Sequence, residues 1–146
     1  MAVARERILL SGGTVLRCDE RFTVAPADVL VDADGRIAAV APDLAGSPAA
    51  EGARVVRCDG AAVLPGWVQT HVHVCQTLLR NRADDLELLD WLKARVWPYE
   101  AALEPEDLAA ATRLACLELL TGGTTGILDM GTVRHHDAVF EALAEA

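Results

Sequence analysis

The chain has 146 residues, 52% of them apolar, and a formal net charge of −9 from 13 Lys/Arg against 22 Asp/Glu. That is enough for one domain of ordinary size with a sizeable core. No Lys/Arg cluster interrupts the acidity, so nucleic acid and anionic membrane are poor partners and neither is expected.

No segment reaches transmembrane length. The opening stretch "MAVARERILLSGG" has only a short apolar patch, ended by Gly12-Gly13, too short for the core of a signal peptide. Cys18, Cys58, Cys75 and Cys116 are scattered without a Cys-x-x-Cys pair. They read as reduced thiols in a cytoplasmic protein.

In chain order, "RILLSGGTVL" presents two short apolar runs around a Ser-Gly-Gly turn. "ADVLVDADGRIAAVAP" is the clearest hairpin: Val29 and Val31 alternate with small or polar neighbours, Asp34-Gly35 supplies the positive φ angles of a tight turn, and Ile37 to Val40 returns. "PDLAGSPAAEGA" is a loop by composition, and "RVVRCDG" a short strand. The first 60 or so residues therefore predict a small sheet or sandwich of hairpins.

The second half changes character. "AVLPGWVQTHVHV" predicts a continuous apolar strand, as in a sheet buried on both faces. "DDLELLDWLKARVWP" carries Leu86, Leu89, Leu92 and Val96 at helical spacing, with Asp84 or Asp85 to cap it and Pro98 to stop it. "EPEDLAAATRLACLELLTGG" predicts a second helix, opened by Pro105 and acidic residues and closed by Gly122-Gly123. "TTGILDMG" reads as a strand and "HHDAVFEALAEA" as an amphipathic helix. Strand, helix, helix, strand, helix is the start of a parallel α/β array. There is no internal repeat.

His71 and His73 stand two apart at the end of the apolar run. In a strand, residues i and i+2 face the same side, so the two imidazoles project together with Val72 turned away. Zn²⁺ accepts imidazole nitrogen readily, and the C-terminal end of a strand is where a parallel barrel does its chemistry. Core or surface histidines also arise at this spacing. A catalytic zinc site needs at least three protein ligands, and the chain has only His135 and His136 besides. Adjacent residues point apart, and both read as a solvated helix N-terminus. Asp129, at the end of the later strand, reads as a structural or supporting carboxylate rather than a ligand.

With these residues the sequence resembles the amidohydrolase superfamily, in its deaminase and chlorohydrolase branch. The string "LPGWVQTHVHVCQTLLRNRADDLELLDWLKARVWPYEAAL" carries the resemblance, and "LLTGGTTGILDMG" extends it. That branch includes S-adenosylhomocysteine/methylthioadenosine and 5'-deoxyadenosine deaminases, guanine deaminases and triazine hydrolases. The resemblance implies an α/β fold: residues 1–64 as the N-terminal part of a small β-sandwich, and residues 65–146 as the first β/α units of a (β/α)₈ barrel, incomplete in this chain. It makes His71 and His73 metal ligands, for Zn²⁺ or alternatively Fe²⁺. It matches Glu100 to a glutamate that binds ribose hydroxyls, Gln76 to a glutamine that contacts the base in guanine deaminases, and Trp91 to a tryptophan near the substrate pocket. Plainer readings stand beside these: Trp91 as helix core, Glu100 as a solvated loop carboxylate.

The implied activity is metal-assisted hydrolysis of an exocyclic amine from a purine nucleoside or related heteroaromatic ring, with ammonia leaving. The family's remaining ligands and proton shuttle lie on later strands, so the chain holds no catalytic residue beyond its two metal ligands. A whole barrel needs roughly 250 residues. The chain is therefore expected to be the N-terminal fragment of a longer protein, inactive alone, with an exposed strand edge that invites aggregation. A triazine-type chlorohydrolase, a guanine deaminase or a cyclic-amide hydrolase is the rival on the same fold. A non-enzymatic remnant or interaction module is the rival from another class. Family members are often dimers or larger, so homo-oligomerisation of the full-length protein is among the implications.

Overall fold

The computed structural model describes residues 6–82 and 85–146 and has a mixed α/β fold. It divides into two compact units, Met1–Pro65 and Gly66–Ala146. No helix among the described residues is long and apolar enough to cross a membrane.

The first unit is one five-stranded sheet. β1 (Ile8–Leu16), β2 (Val24–Val31), β3 (Ile37–Ala41) and β4 (Arg54–Arg57) lie in the order β3-β2-β1-β4, and β5 (Ala62–Val63) also pairs with β1. The β1–β2 and β2–β3 pairs are antiparallel, but β4 and β5 run parallel to β1, so the unit is not purely a set of hairpins. The Ser-Gly-Gly expected as a turn is instead a bulge inside the single strand β1. Leu10 pairs with Val29 and Gly13 with Ala27, which puts one extra residue on β1. Gly12 takes it up at φ 83, a conformation that costs glycine nothing. The bulge also changes which face a residue serves. Leu9 packs with Leu30 and Ala50, whereas Val15, of the same parity, packs with Ala27 and Val29 in a separate cluster.

The β2–β3 hairpin forms as expected, with a looser turn. Only Gly35 has positive φ; Asp34 does not. The Asp32 carboxylate accepts from the N–H groups of Asp34 and Arg36, both at 2.9 Å, and this local bonding replaces the two-residue turn. The expected loop after β3 contains two short 3₁₀ turns, Leu44–Gly46 and Pro48–Ala50.

The second unit is built on β6 (Trp67–Val72) and β7 (Thr124–Asp129), which pair in parallel. The apolar run 62–74 is not one strand. It breaks at Leu64-Pro65-Gly66, so that Ala62–Val63 joins β1 while Trp67–Val72 joins β7. Nor is β6 buried on both faces: Trp67 and Val68 are exposed, because β7 is its sole strand partner among the described residues. A 3₁₀ turn, Val74–Leu79, follows.

The next helix starts later and runs further than its sequence suggests. Glu87 is the N-cap of α1 (Leu88–Trp91); Asp85 precedes it at φ 63, and Asp84 lies outside the described residues. Pro98 does not end the helix. The backbone widens into a π-turn over Leu92–Val96 and continues as α2 (Trp97–Ala102) with the proline in its first turn. A proline has no N–H for the carbonyl four residues back. That carbonyl, of Ala94, instead accepts from the Arg95 guanidinium at 3.3 Å. Of the expected apolar stripe, Val96 is buried, but Leu86 and Leu89 are exposed.

α3 (Pro105–Thr121) begins at Glu104, whose N–H donates to Asp107 Oδ2 at 3.0 Å in a capping box, and ends at Gly122-Gly123. α4 (His136–Glu145) completes the expected order. Val74, Cys75, Leu103, Leu108, Ala115 and Val139 form the core of this unit.

Candidate metal centre and adjoining cleft

β6 delivers the histidine pair. His71 lies in the strand, and His73, one residue past its end, begins the 3₁₀ turn. Their ring centroids are 5.3 Å apart with the planes at 61°. Both line an open cleft of about 900 Å³. Trp67 and Gln69 line it too, continuing the period of two along β6, so strand alternation could have found them. Gln76 and Trp91 also border the cleft; Glu100 does not.

The turn after His73 is tightly held. Gln76 N–H donates to His73 O at 3.1 Å, and Thr77 Oγ1 donates to Val74 O at 2.8 Å. Asp129, at the end of β7, accepts from Val74 N–H with Oδ1 and from Gly131 N–H with Oδ2, both at 3.0 Å. It is thus a structural carboxylate fastening the His73 turn to the end of β7.

Glu100 is not a solvated loop carboxylate. It sits in α2 and is 5% exposed. Oε1 accepts from Gln76 Nε2 at 2.7 Å and Oε2 from Val133 N–H at 3.2 Å. Cys75, beside it, donates its thiol to Gly131 O at 3.5 Å. Burial, reinforced by the Glu100 charge, pushes that thiol up to about 12. Burial also raises the Tyr99 phenol above its usual range.

Neither of the other two histidines lines this cleft. His136 is exposed at the start of α4, as expected, and its Nε2 accepts from Thr132 N–H at 3.4 Å. His135 is not simply solvated: it is partly buried at φ 57, its Nε2 4.0 Å from Glu104 Oε2.

The donor set fits part of a metal site. Among the described residues neither His71 nor His73 gives its ring to a side-chain hydrogen bond, and the buried His73 Nδ1 has no partner. A buried ring nitrogen calls for one. No cluster of three or more His, Cys, Asp or Glu that could hold a metal ion occurs among the described residues.

Residues 62–146 match the amidohydrolase family, and the chain belongs to it. It is 41% identical to a 5-methylthioadenosine/S-adenosylhomocysteine deaminase of Symbiobacterium thermophilum, over 86% of this chain and 28% of that protein. A 5'-deoxyadenosine deaminase of Methanococcoides burtonii is 41% identical over 84% of this chain and 27% of that protein. Among solved structures, an adenosine deaminase of Xanthomonas campestris with bound zinc superposes at a TM-score of 0.74 with 31% identity, covering 97% of this chain and 32% of that one. The atrazine chlorohydrolase of Arthrobacter aurescens TC1 complexed with zinc gives 0.76 with 26% identity, covering 94% and 33%. The chain thus spans less than a third of the length of these relatives.

Proposed function

We propose that the chain forms the start of a metal-dependent aminohydrolase that releases ammonia from a purine nucleoside or related heteroaromatic ring. The observation that carries this reading is the His71–His73 pair at the end of β6, sharing one cleft with Gln76 and Trp91. The deaminase names of its relatives support the reaction class. In the full-length protein, residues 1–64 are read as part of a small β-sandwich and residues 65–146 as the first units of a (β/α)₈ barrel. The zinc-bound neighbours favour Zn²⁺ over Fe²⁺, with His71 and His73 as two of its ligands.

A divalent cation in such a site supplies a water acidified towards neutrality. The chain's own groups do the rest of what is proposed here. The two imidazoles stand side by side in the cleft, their centroids 5.3 Å apart. Trp91 offers an apolar wall to a flat ring. Gln76 offers a polar contact near the histidines. Glu100 already accepts two hydrogen bonds. Two imidazoles fall short of the three protein ligands a catalytic zinc needs, so the 146-residue chain alone is read as inactive.

The test is zinc content and ammonia release from 5'-deoxyadenosine by the full-length protein, with His71→Ala and His73→Ala beside it. Roughly one zinc per chain is expected, lost in either variant together with activity. Ammonia release that survives both substitutions overturns the assignment. Chloride release from atrazine without ammonia release moves the protein to the chlorohydrolase reading that the structural likeness also favours.

A further inference from the structure

We propose that Glu100 is a positioning residue that sets the Gln76 amide with its oxygen towards the cleft, as a hydrogen-bond acceptor for a donor on the substrate ring. The substrate side of this rests on the aminohydrolase reading; the positioning does not.

Gln76 N–H donates to His73 O, which closes a 3₁₀ turn. Gln76 borders the same cleft as His73. Its far end meets Glu100 at 2.7 Å. A carboxylate only accepts, so the atom of Gln76 that faces it is the NH₂ group, and the atom left over is the carbonyl oxygen. Glu100 cannot turn away to change this. It is buried, and Val133 N–H holds its second oxygen at 3.2 Å. A charge-assisted bond of this length between two restrained groups fixes the amide in one of its two orientations. The cleft is therefore offered an acceptor beside the histidine pair. It selects rings that carry a donor there, an N–H or an exocyclic amine, over rings with a bare nitrogen.

The pair can be rewired without removing its hydrogen bond. Glu100→Gln keeps an oxygen for Val133 N–H and turns an NH₂ towards Gln76. Gln76 must then flip to accept it, which leaves a donor facing the cleft. Adding Gln76→Glu restores an acceptor-only group that bonds the new NH₂ and shows an oxygen to the cleft. In the full-length protein with 5'-deoxyadenosine, Glu100→Gln is expected to raise KM about five- to tenfold, the worth of one neutral hydrogen bond, with a smaller change in kcat. The double variant is expected to bring KM back to within about twofold of the starting protein. A merely structural bond is kept in both variants and moves KM in neither. An unchanged KM in Glu100→Gln, or no recovery in the double variant, overturns the proposal.

A second readout needs no turnover. In protein labelled with ¹⁵N-glutamine, the Gln76 side-chain protons, identified by their loss in Gln76→Leu, should exchange slowly in the unaltered protein and fast in Glu100→Gln. Fast exchange in the unaltered protein refutes the positioning. Slow exchange in a protein that releases no ammonia refutes the aminohydrolase reading alone.

Discussion

Asp129→Asn keeps shape and changes one oxygen to NH₂, and its effect can be worked from two bonds. In the native protein each carboxylate oxygen accepts from one backbone N–H, Val74 on one side and Gly131 on the other. An asparagine has one acceptor for two donors, so its NH₂ must face an N–H. Val74 is 0% exposed and the Gly131 bond is part-buried, so whichever N–H faces the NH₂ is poorly served by water. An unsatisfied buried donor costs about 1–3 kcal/mol, and the surviving bond loses its charge assistance, about 1 kcal/mol more. The expected loss is about 2–4 kcal/mol, read in urea as a lower midpoint at unchanged slope. His73 immediately precedes Val74, so slack in the turn moves a proposed ligand. Zinc affinity should fall by about tenfold, in the range for residues that support a ligand. A loss below about 0.5 kcal/mol would mean that the two bonds do not hold the turn. Destabilisation with zinc binding intact would keep the clasp and reject its link to the site.

Two further outcomes follow from buried ionisable groups. Burial would raise the Asp28 carboxyl, but hydrogen bonds from Gly12 N–H, the Ser11 hydroxyl and Ala45 N–H outweigh it and hold the group below its ordinary value. Asp28 thus contributes stability that is present above the unfolded value of about 3.9 and is lost as pH falls through the lower folded one. Asp28→Asn should flatten the pH dependence of stability in that acid window, and parallel curves for the two proteins between pH 2 and 6 would reject this. For the thiols, a Cys75 value of about 12 leaves about one thiolate in ten thousand at pH 8. Iodoacetamide on the native protein should label exposed Cys18 and leave Cys75 and Cys116 unmodified by peptide mass spectrometry; comparable labelling of Cys75 would count against its burial.

What could be read in the sequence is what depends on near neighbours. The β2–β3 hairpin, α3 with its acidic N-terminus, β7 and α4 all follow from local pattern and capping. The histidine pair was legible because a strand repeats every two residues, and the same rule extends to Gln69 and Trp67. The departures arise where one residue has two possible consequences. Gly12-Gly13 suits a turn or a bulge, and the pairing of β1 with β2 on one side and β4 on the other decides for the bulge. Pro98 forbids one hydrogen bond, but a π-turn before it absorbs that loss and lets the helix resume. The Gln76–Glu100 bond spans 24 residues across that π-turn, so no spacing rule gives it.

That bond matters because of where it falls in the turn after His73, where three successive residues, 74–76, are held from elsewhere. Val74 is held by Asp129, Cys75 by Gly131, and Gln76 by Glu100 from α2. Glu100 is in turn held by Val133, only four residues beyond Asp129. The segment 129–133 therefore touches all three of these residues, either directly or through Glu100. A proposed metal ligand on one strand is placed by the loop that follows the next. A substitution in that loop can shift His73 and the Gln76 amide together while leaving both residues in place. Variants at 129–133 should therefore be read first for altered zinc and substrate affinity, and only then for lost fold.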